Sequence, residues 1–551
     1  MTYVYESKPW LANYDADTPP NVDIEHVDAL AMFRASLERD RTAPIIRYFD
    51  RTVSFAELDE MSDALAVALA KDGIGFADRV SFVLQNVPQF VIATVAVWKL
   101  GAVVVPVNPM YRDRELSTVL ADSGAAAVIC LESSAETVAT ASEGTAVRRV
   151  ITTSELDFQS RDDERIFGSA SRIRHDGFPD LLELIEAHRG QKPEKVDLSP
   201  EDLAYLPYTS GTTGPPKGSM NSHANVVFAA QIYRDWLGLR PGGAMFAVAP
   251  LFHITGLIGH VAAPLLAGAP TILTCRFHPI VAAESISEHR ATAIIGAITV
   301  FIAWTDSAAV SKESLSSLES VYSGGAPIPH AALEAFRAKF GHYIHNGYGL
   351  TETNSPAIVV PNSREAPVDP ASGAVAVGVP VSNTYAEVVD ENDRPVQIGK
   401  YGEIVVSGPQ VALGYWNKPA ETAHAMPDGR FHTGDIGFMD GDGWFYIVDR
   451  MKDQINASGF KVWPREVEDV LYEHPAVREA AVVGVMDPYR GETVKAFVSF
   501  KDGFEATTED LVEFCKERLA AYKYPRIVEV MNDLPKTVSG KILRRELRVP
   551  N

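Results

Sequence analysis

Tyr208-Thr209-Ser210-Gly211-Thr212-Thr213-Gly214-Pro215-Pro216-Lys217-Gly218 puts four Ser/Thr hydroxyls, three glycines and one lysine into eleven consecutive residues. Glycine lets backbone N–H groups approach a polyanion, hydroxyls add donors, and lysine adds mobile positive charge. A triphosphate is the ligand that such a loop suits. It is not a Walker A loop, in which Gly-Lys-Ser/Thr opens a helix, because Pro216 precedes Lys217 and Gly218 follows it. Standing alone, a run of Ser, Thr and Gly reads equally well as a surface linker.

Four further segments follow in order: Asn346-Gly347-Tyr348-Gly349-Leu350-Thr351-Glu352, Thr433-Gly434-Asp435, Asp449-Arg450-Met451-Lys452-Asp453 and Pro535-Lys536-Thr537-Val538-Ser539-Gly540-Lys541. Together with the first loop they resemble the adenylate-forming acyl-CoA synthetase superfamily, which also holds luciferases and peptide-synthetase adenylation domains. The resemblance spans the chain from about Thr52 to Arg548.

The bulk properties agree with an ordinary soluble globular protein. At 551 residues the chain exceeds one core. Hydrophobic content of 46% and charged content of 22% are those of a globular protein. The net charge of −22 argues against broad nucleic-acid binding, which needs a basic face. Only Cys130, Cys275 and Cys515 occur, far apart, so neither a disulfide framework nor a zinc cluster is expected, and a reducing cytoplasm is. The apolar run 90–107 contains Lys99, Gly101 and Pro106, and reads as a buried helix turning into a buried strand rather than a membrane span.

Strand-like runs at 79–84, 102–106 and 126–130 alternate with helical patterns such as 58–72 and 331–340, which argues for α/β architecture with parallel sheets. Around 388–390 and 404–407 the pattern changes to short strands of a small β-rich portion. Residues 133–175 are polar and read as irregular surface. After Lys452 the order is helix 464–473, strands 480–485 and 494–500, helix 508–519 and strand 527–530, an α+β unit of its own. The expected fold is therefore a large α/β N-terminal domain, residues 1–450, with parallel-sheet subdomains and a small β-rich one. A small mobile α+β C-terminal domain, residues 451–551, completes it.

The resemblance implies a two-step reaction. A carboxylate attacks the α-phosphate of ATP to give an acyl adenylate and pyrophosphate, and the thiol of coenzyme A then displaces AMP. The first step joins two anions, so charge must be neutralised before a bond forms. Thr209, Ser210, Gly211, Thr212, Thr213 and Lys217 are implied for the β- and γ-phosphates. Glu352 is implied as the ligand of Mg²⁺, which needs few protein carboxylates, and Thr351 as a donor to the α-phosphate. In Asn346-Gly347-Tyr348, the tyrosine ring is suited to stack on adenine, with Gly325, Ala326 and Pro327 lining its other side. Asp435 and Arg450 are implied for the ribose. His253, after an apolar run, is expected to line the site between acyl tail and phosphate rather than move a proton. Lys541 is implied as the cation that bridges carboxylate and α-phosphate. Ser458 and Gly459 resemble the pantetheine passage, and Lys452 the hinge of the small domain.

Relatives that activate acetate carry a Trp where this chain has Gly349, so a longer or wider acid is expected. Phe252-His253-Ile254-Thr255-Gly256-Leu257-Ile258-Gly259 holds no acid to bind an ammonium group. With 297–304, these apolar segments favour a medium- or long-chain fatty acid. An aryl or alicyclic acid, or an acyl adenylate destined for a carrier protein, are the alternatives. The expected partners are small molecules, with no nucleic acid and no integral membrane segment, and a homodimer stays open as an assembly.

Overall fold

The computed structural model describes residues 4–209, 216–370, 373–450, 453, 455–457, 460–487, 491–537 and 541–548. Among these, two large sheets with parallel centres form the first part of the molecule. One has six strands in the order Asn221–Ser222, Leu203–Tyr205, Val103–Pro106, Arg79–Val83, Ala127–Leu131 and Arg149–Thr153. The other has nine, and its central strands Thr271–Leu273, Met245–Phe246, Ala293–Gly296, Ser320–Gly324 and His345–Tyr348 are parallel. Its two edges are antiparallel.

Helix α1, Phe55–Lys71, starts at a reciprocal Ser54–Glu57 capping box. Helix α2, Pro88–Lys99, is buried at every residue, and the strand Val103–Pro106 that follows is buried too. The apolar run therefore divides into helix and strand as its Gly and Pro suggest. Its one charge is neutralised in place: Lys99 Nζ donates to Asp59 Oδ1 at 2.8 Å and to Asp63 Oδ1 at 2.5 Å, both on α1. No helix among the described residues is long and apolar enough to cross a membrane.

Two sequence expectations are corrected. Residues 149–153 are not irregular surface but an edge strand, paired in parallel with Ala127–Leu131. Their brief Val-Ile-Thr-Thr run is too short to show a period. The polar stretch after it is tied down where Arg172 pairs with Glu132, Asp157 and Asp180. The second correction follows from helix α3, His223–Trp236, and helix α4, Ile298–Asp306. α4 was expected to line an acyl pocket. Its Phe301 and Trp304 instead fill a separate core with Phe336, and Trp304 Nε1 donates to Pro279 O at 2.9 Å. A helix apolar on all faces gives no clue to which face meets a ligand.

Strands Tyr385–Val389, Gly402–Ser407, Phe431–Met439 and Phe445–Arg450 form an antiparallel sheet. From residue 455 onward the chain builds its own sheet around the long hairpin Val477–Asp487 and Gly491–Phe500. Helix α5, Pro464–Tyr472, packs on it, with Val467 and Leu471 in a core that includes Val482 and Val498. Arg465 on α5 is buried and donates from Nη1 to Ile447 O at 2.7 Å, joining this unit to the sheet before it.

Two histidines bear on acid stability. Burial pushes His223 down to about 4 and His260 down to about 3. Each ring nitrogen accepts a backbone N–H, from Ala29 and Ala249 respectively, which only the unprotonated nitrogen can do. The unfolded chain takes up these protons below about pH 6.5 and the folded chain does not. Their contribution is thus complete above pH 6.5 and is lost as pH falls toward 4. Each should lower unfolding free energy by about 1.4 kcal/mol per pH unit in that window, as read by denaturant titration at several pH values.

Candidate active site

Strands Ser320–Gly324 and His345–Tyr348 end side by side, with Gly324 opposite Gly347. A Cβ on Gly324 would lie 2.9 Å from Gly347 O, so the strands approach this closely only with glycine there. The carboxyl ends of parallel strands are where such folds hold ligands. Gly325 follows at φ +79° with open space beside it, and Pro327 is exposed, while Ala326 leans on the second core. Asn346 is buried and its amide donates to Ala376 O at 3.4 Å.

Tyr348 reaches across to the small antiparallel sheet, where its hydroxyl donates to Asp435 Oδ2 at 2.7 Å. The turn before Asp435 is held from below. Gly434, at φ +70°, donates its N–H to Glu403 Oε1 at 2.8 Å, and Thr433 Oγ1 donates to Ile404 O. Arg450 is the cross-strand neighbour of Asp435. Glu403 was not singled out from sequence, since a lone Glu on a short strand carries no signal.

At the two ends of the stretch quoted at the outset, Tyr208–Thr209 pairs antiparallel with Lys217–Gly218. Ser210, Gly211, Thr212 and Thr213 lie outside the described residues. The stem is pinned by Tyr208, whose hydroxyl donates to Asp122 Oδ2 at 2.7 Å, and by Trp416 N donating to Gly218 O at 2.8 Å. Tyr415 joins this stem to the Thr-Glu turn. Lys217 Nζ sits 4.9 Å from the centre of the Tyr415 ring, and the Tyr415 hydroxyl donates to Glu352 Oε1 at 2.7 Å. Burial and then the charge of Glu352 push the Tyr415 phenol well above its ordinary range. Glu352 itself is buried, its carbonyl accepts from Ala412 N, and the neighbouring Thr351 carbonyl accepts from Asn221 Nδ2 at 3.2 Å. Sequence reasoning missed Tyr415. Its signal was an aromatic pair after Gly414 in an otherwise turn-like stretch.

His253 follows the Ala249–Leu251 segment and lines a small cavity with Ile295, Gly349 and Ser355. Its Nδ1 accepts from Thr255 N at 3.4 Å. Burial, and after it the positive charge of Lys541, push the imidazole down to about 4. Lys541, from the far end of the chain, thus lies near enough for its charge to bear on His253. Its turn is closed by Thr537, whose Oγ1 accepts from Lys541 N at 3.1 Å and whose N–H donates to Lys541 O at 2.7 Å. A basic run such as the one that follows it is ordinarily a solvated face. Arg544 is instead fixed, donating to Glu468 Oε2 at 2.6 Å with Asp453 3.5 Å away. Gly349 has little room: a Cβ there would lie 3.0 Å from Ser355 Cα. Lys452, Ser458 and Gly459 lie outside the described residues.

The family model described as AMP-binding enzyme matches residues 33–416, and the AMP-binding enzyme C-terminal domain matches residues 466–541. A long-chain-fatty-acid–CoA ligase of Escherichia coli O6:H1 is 37% identical over 98% of this chain and 98% of the relative. A feruloyl-CoA synthase of Amycolatopsis sp. is 36% identical over 94% of this chain and 97% of its own. Among solved structures, an anthranilate CoA ligase in complex with anthranoyl-AMP superimposes with a TM-score of 0.84 at 26% identity, over 97% of this chain and 98% of that one. The chain belongs to the AMP-binding enzyme family, in its adenylate-forming acyl-CoA synthetase branch.

Tyr415→Phe keeps the ring beside Lys217 and deletes only the bond to Glu352. A hydrogen bond to a buried charge is worth about 1.5–3 kcal/mol, so ATP–pyrophosphate exchange should fall about ten- to a hundredfold. Tyr415→Leu, which removes the ring as well, should fall further and raise the KM for ATP.

Proposed function

We propose that the protein is an ATP-dependent carboxylic acid–CoA ligase acting on a medium- or long-chain fatty acid. The observations that carry this reading are a cavity lined by His253 and Gly349, the Lys217–Tyr415–Glu352 cluster, the Tyr348–Asp435 pair, and Lys541 near enough for its charge to bear on His253. The E. coli relative bears the name of a long-chain-fatty-acid–CoA ligase. Among the described residues the cavity is lined by Leu237, Ile295 and Val359 with others, none of them an acid, a lysine or an arginine.

In the first half-reaction Lys217 and the hairpin tip hold the β- and γ-phosphates, and Tyr348 and Asp435 hold adenine and ribose, with Arg450 beside Asp435. The Lys541 ammonium lies between the acid's carboxylate and the α-phosphate, and offsets the charge that builds as the oxygen attacks phosphorus and pyrophosphate leaves. Neutral His253 forms the wall between tail and phosphate and adds no charge of its own. Glu352, with one oxygen held by Tyr415, fits a cation that takes a single protein carboxylate and completes its shell with water and phosphate. Mg²⁺ there would neutralise polyphosphate charge. In the second half-reaction the thiolate of CoA attacks the acyl carbon and AMP departs. We place the boundary between the two domains near residue 450, with Lys452 as hinge and Ser458–Gly459 lining the thiol's approach. A cytoplasmic location is part of this proposal, since ATP and CoA are the co-substrates.

An aryl acid is the second reading. The feruloyl-CoA synthase relative supports it, as do the hydroxyls of Tyr233, Thr255 and Ser355 in the cavity wall.

Pyrophosphate release with CoA and a panel of alkyl and aryl acids tests the substrate directly. Lys541→Ala should slow adenylate formation by about a hundred- to a thousandfold, the cost of about 3–4 kcal/mol for losing a preorganised charge. Conversion of a preformed acyl adenylate to thioester should stay largely intact, and equal loss in both half-reactions would refute the assigned role.

A further inference from the structure

We propose that Tyr233 is the residue that sets how long an acid tail the cavity accepts, a role that rests on the ligase reading above. Tyr233 is buried on α3, and its ring forms part of the cavity wall together with Leu237, one turn further on. The ring is held from two sides. Its hydroxyl is 3.1 Å from Ser355 Oγ, on the segment that follows the Thr-Glu turn, and the Thr255 side chain is a second partner. Behind it lies Gly259. A Cβ at that position would sit 3.2 Å from Tyr233 Cε1 and 3.3 Å from Cζ, so glycine is what lets the ring take this place.

The result is a polar cross-brace in a cavity whose other walls, Ile295, Val359 and Leu237, are apolar. A phenol hydroxyl buried in such a wall keeps its position because leaving Ser355 strands a donor without water. An alkyl tail that enters past Gly349 and His253 therefore meets a braced ring. A short tail stops before it and is indifferent to it. A long tail fits only when the ring turns away from Ser355, and that displacement is charged against long acids alone. A sequence reading had no access to this, since a single Tyr on a buried helix is usually just core.

The test is the ratio of kcat/KM for hexadecanoate to that for octanoate, measured as pyrophosphate release, with the KM for ATP from the same preparations as control. Tyr233→Ala removes the brace and should raise the ratio about tenfold, with the gain confined to the long acid; Tyr233→Phe keeps the ring but frees it from Ser355, and should raise it about threefold. The KM for ATP should hold steady in both. The Phe variant is nearly isosteric and carries the test if the Ala variant does not fold. An unchanged ratio in folded Tyr233→Phe, or a ratio that moves together with the KM for ATP, overturns the assignment. Failure of the wild type to release pyrophosphate with any acid would instead overturn the ligase reading itself.

Discussion

A carboxylate and a polyphosphate repel each other, and a chain of net charge −22 surrounds them with further negative field. Everything at the candidate site answers that repulsion locally. Lys217 comes from the hairpin stem and lies against an aromatic face, where a cation is held without being neutralised by a carboxylate. Lys541 comes from near the chain's C-terminal end, and its charge bears on His253. In the proposed reaction, cations from two distant parts of the sequence serve one partly dry site, where each counts for more than it would in water. The acidic remainder keeps the protein soluble without reaching this focus, because salt screens exposed charges beyond about 8 Å.

Tyr415 is the mechanical centre of that arrangement. The segment 412–416 is stitched to the hairpin through Gly218 and to the Thr-Glu turn through Glu352, so two motifs far apart in sequence share one support. Glu403 does the same for the Thr-Gly-Asp turn. Such supports are single polar contacts between short irregular segments, and no periodicity or composition marks them. The residues proposed to meet substrates are set in glycine-rich turns, and the distinctive order of those turns is plain in the sequence.

The fold was legible where long periodic segments exist: α1, α2, the parallel strands and the separate α+β unit after residue 455 lie within a few residues of where their patterns put them. It was less so where burial is complete. α4 is apolar all round, and only the tertiary packing of Phe301 and Trp304 shows that its C-terminal half belongs to a core rather than to a ligand. Arg544 looked like part of a solvated basic run because its partners, Glu468 and Asp453, are distant in sequence. Tyr233 escaped notice for the converse reason, since a buried aromatic on a helix looks the same whether it faces core or cavity.

The hairpin that opens the sequence reading has a ladder of only two residue pairs, Tyr208 with Gly218 and Thr209 with Lys217. A ladder that short stores little cooperative free energy of its own, so its closure leans on the Tyr208–Asp122 and Trp416–Gly218 bonds that pin the stem. Hydrogen exchange at these rungs is then a local gauge of those two contacts rather than of the stability of the whole fold.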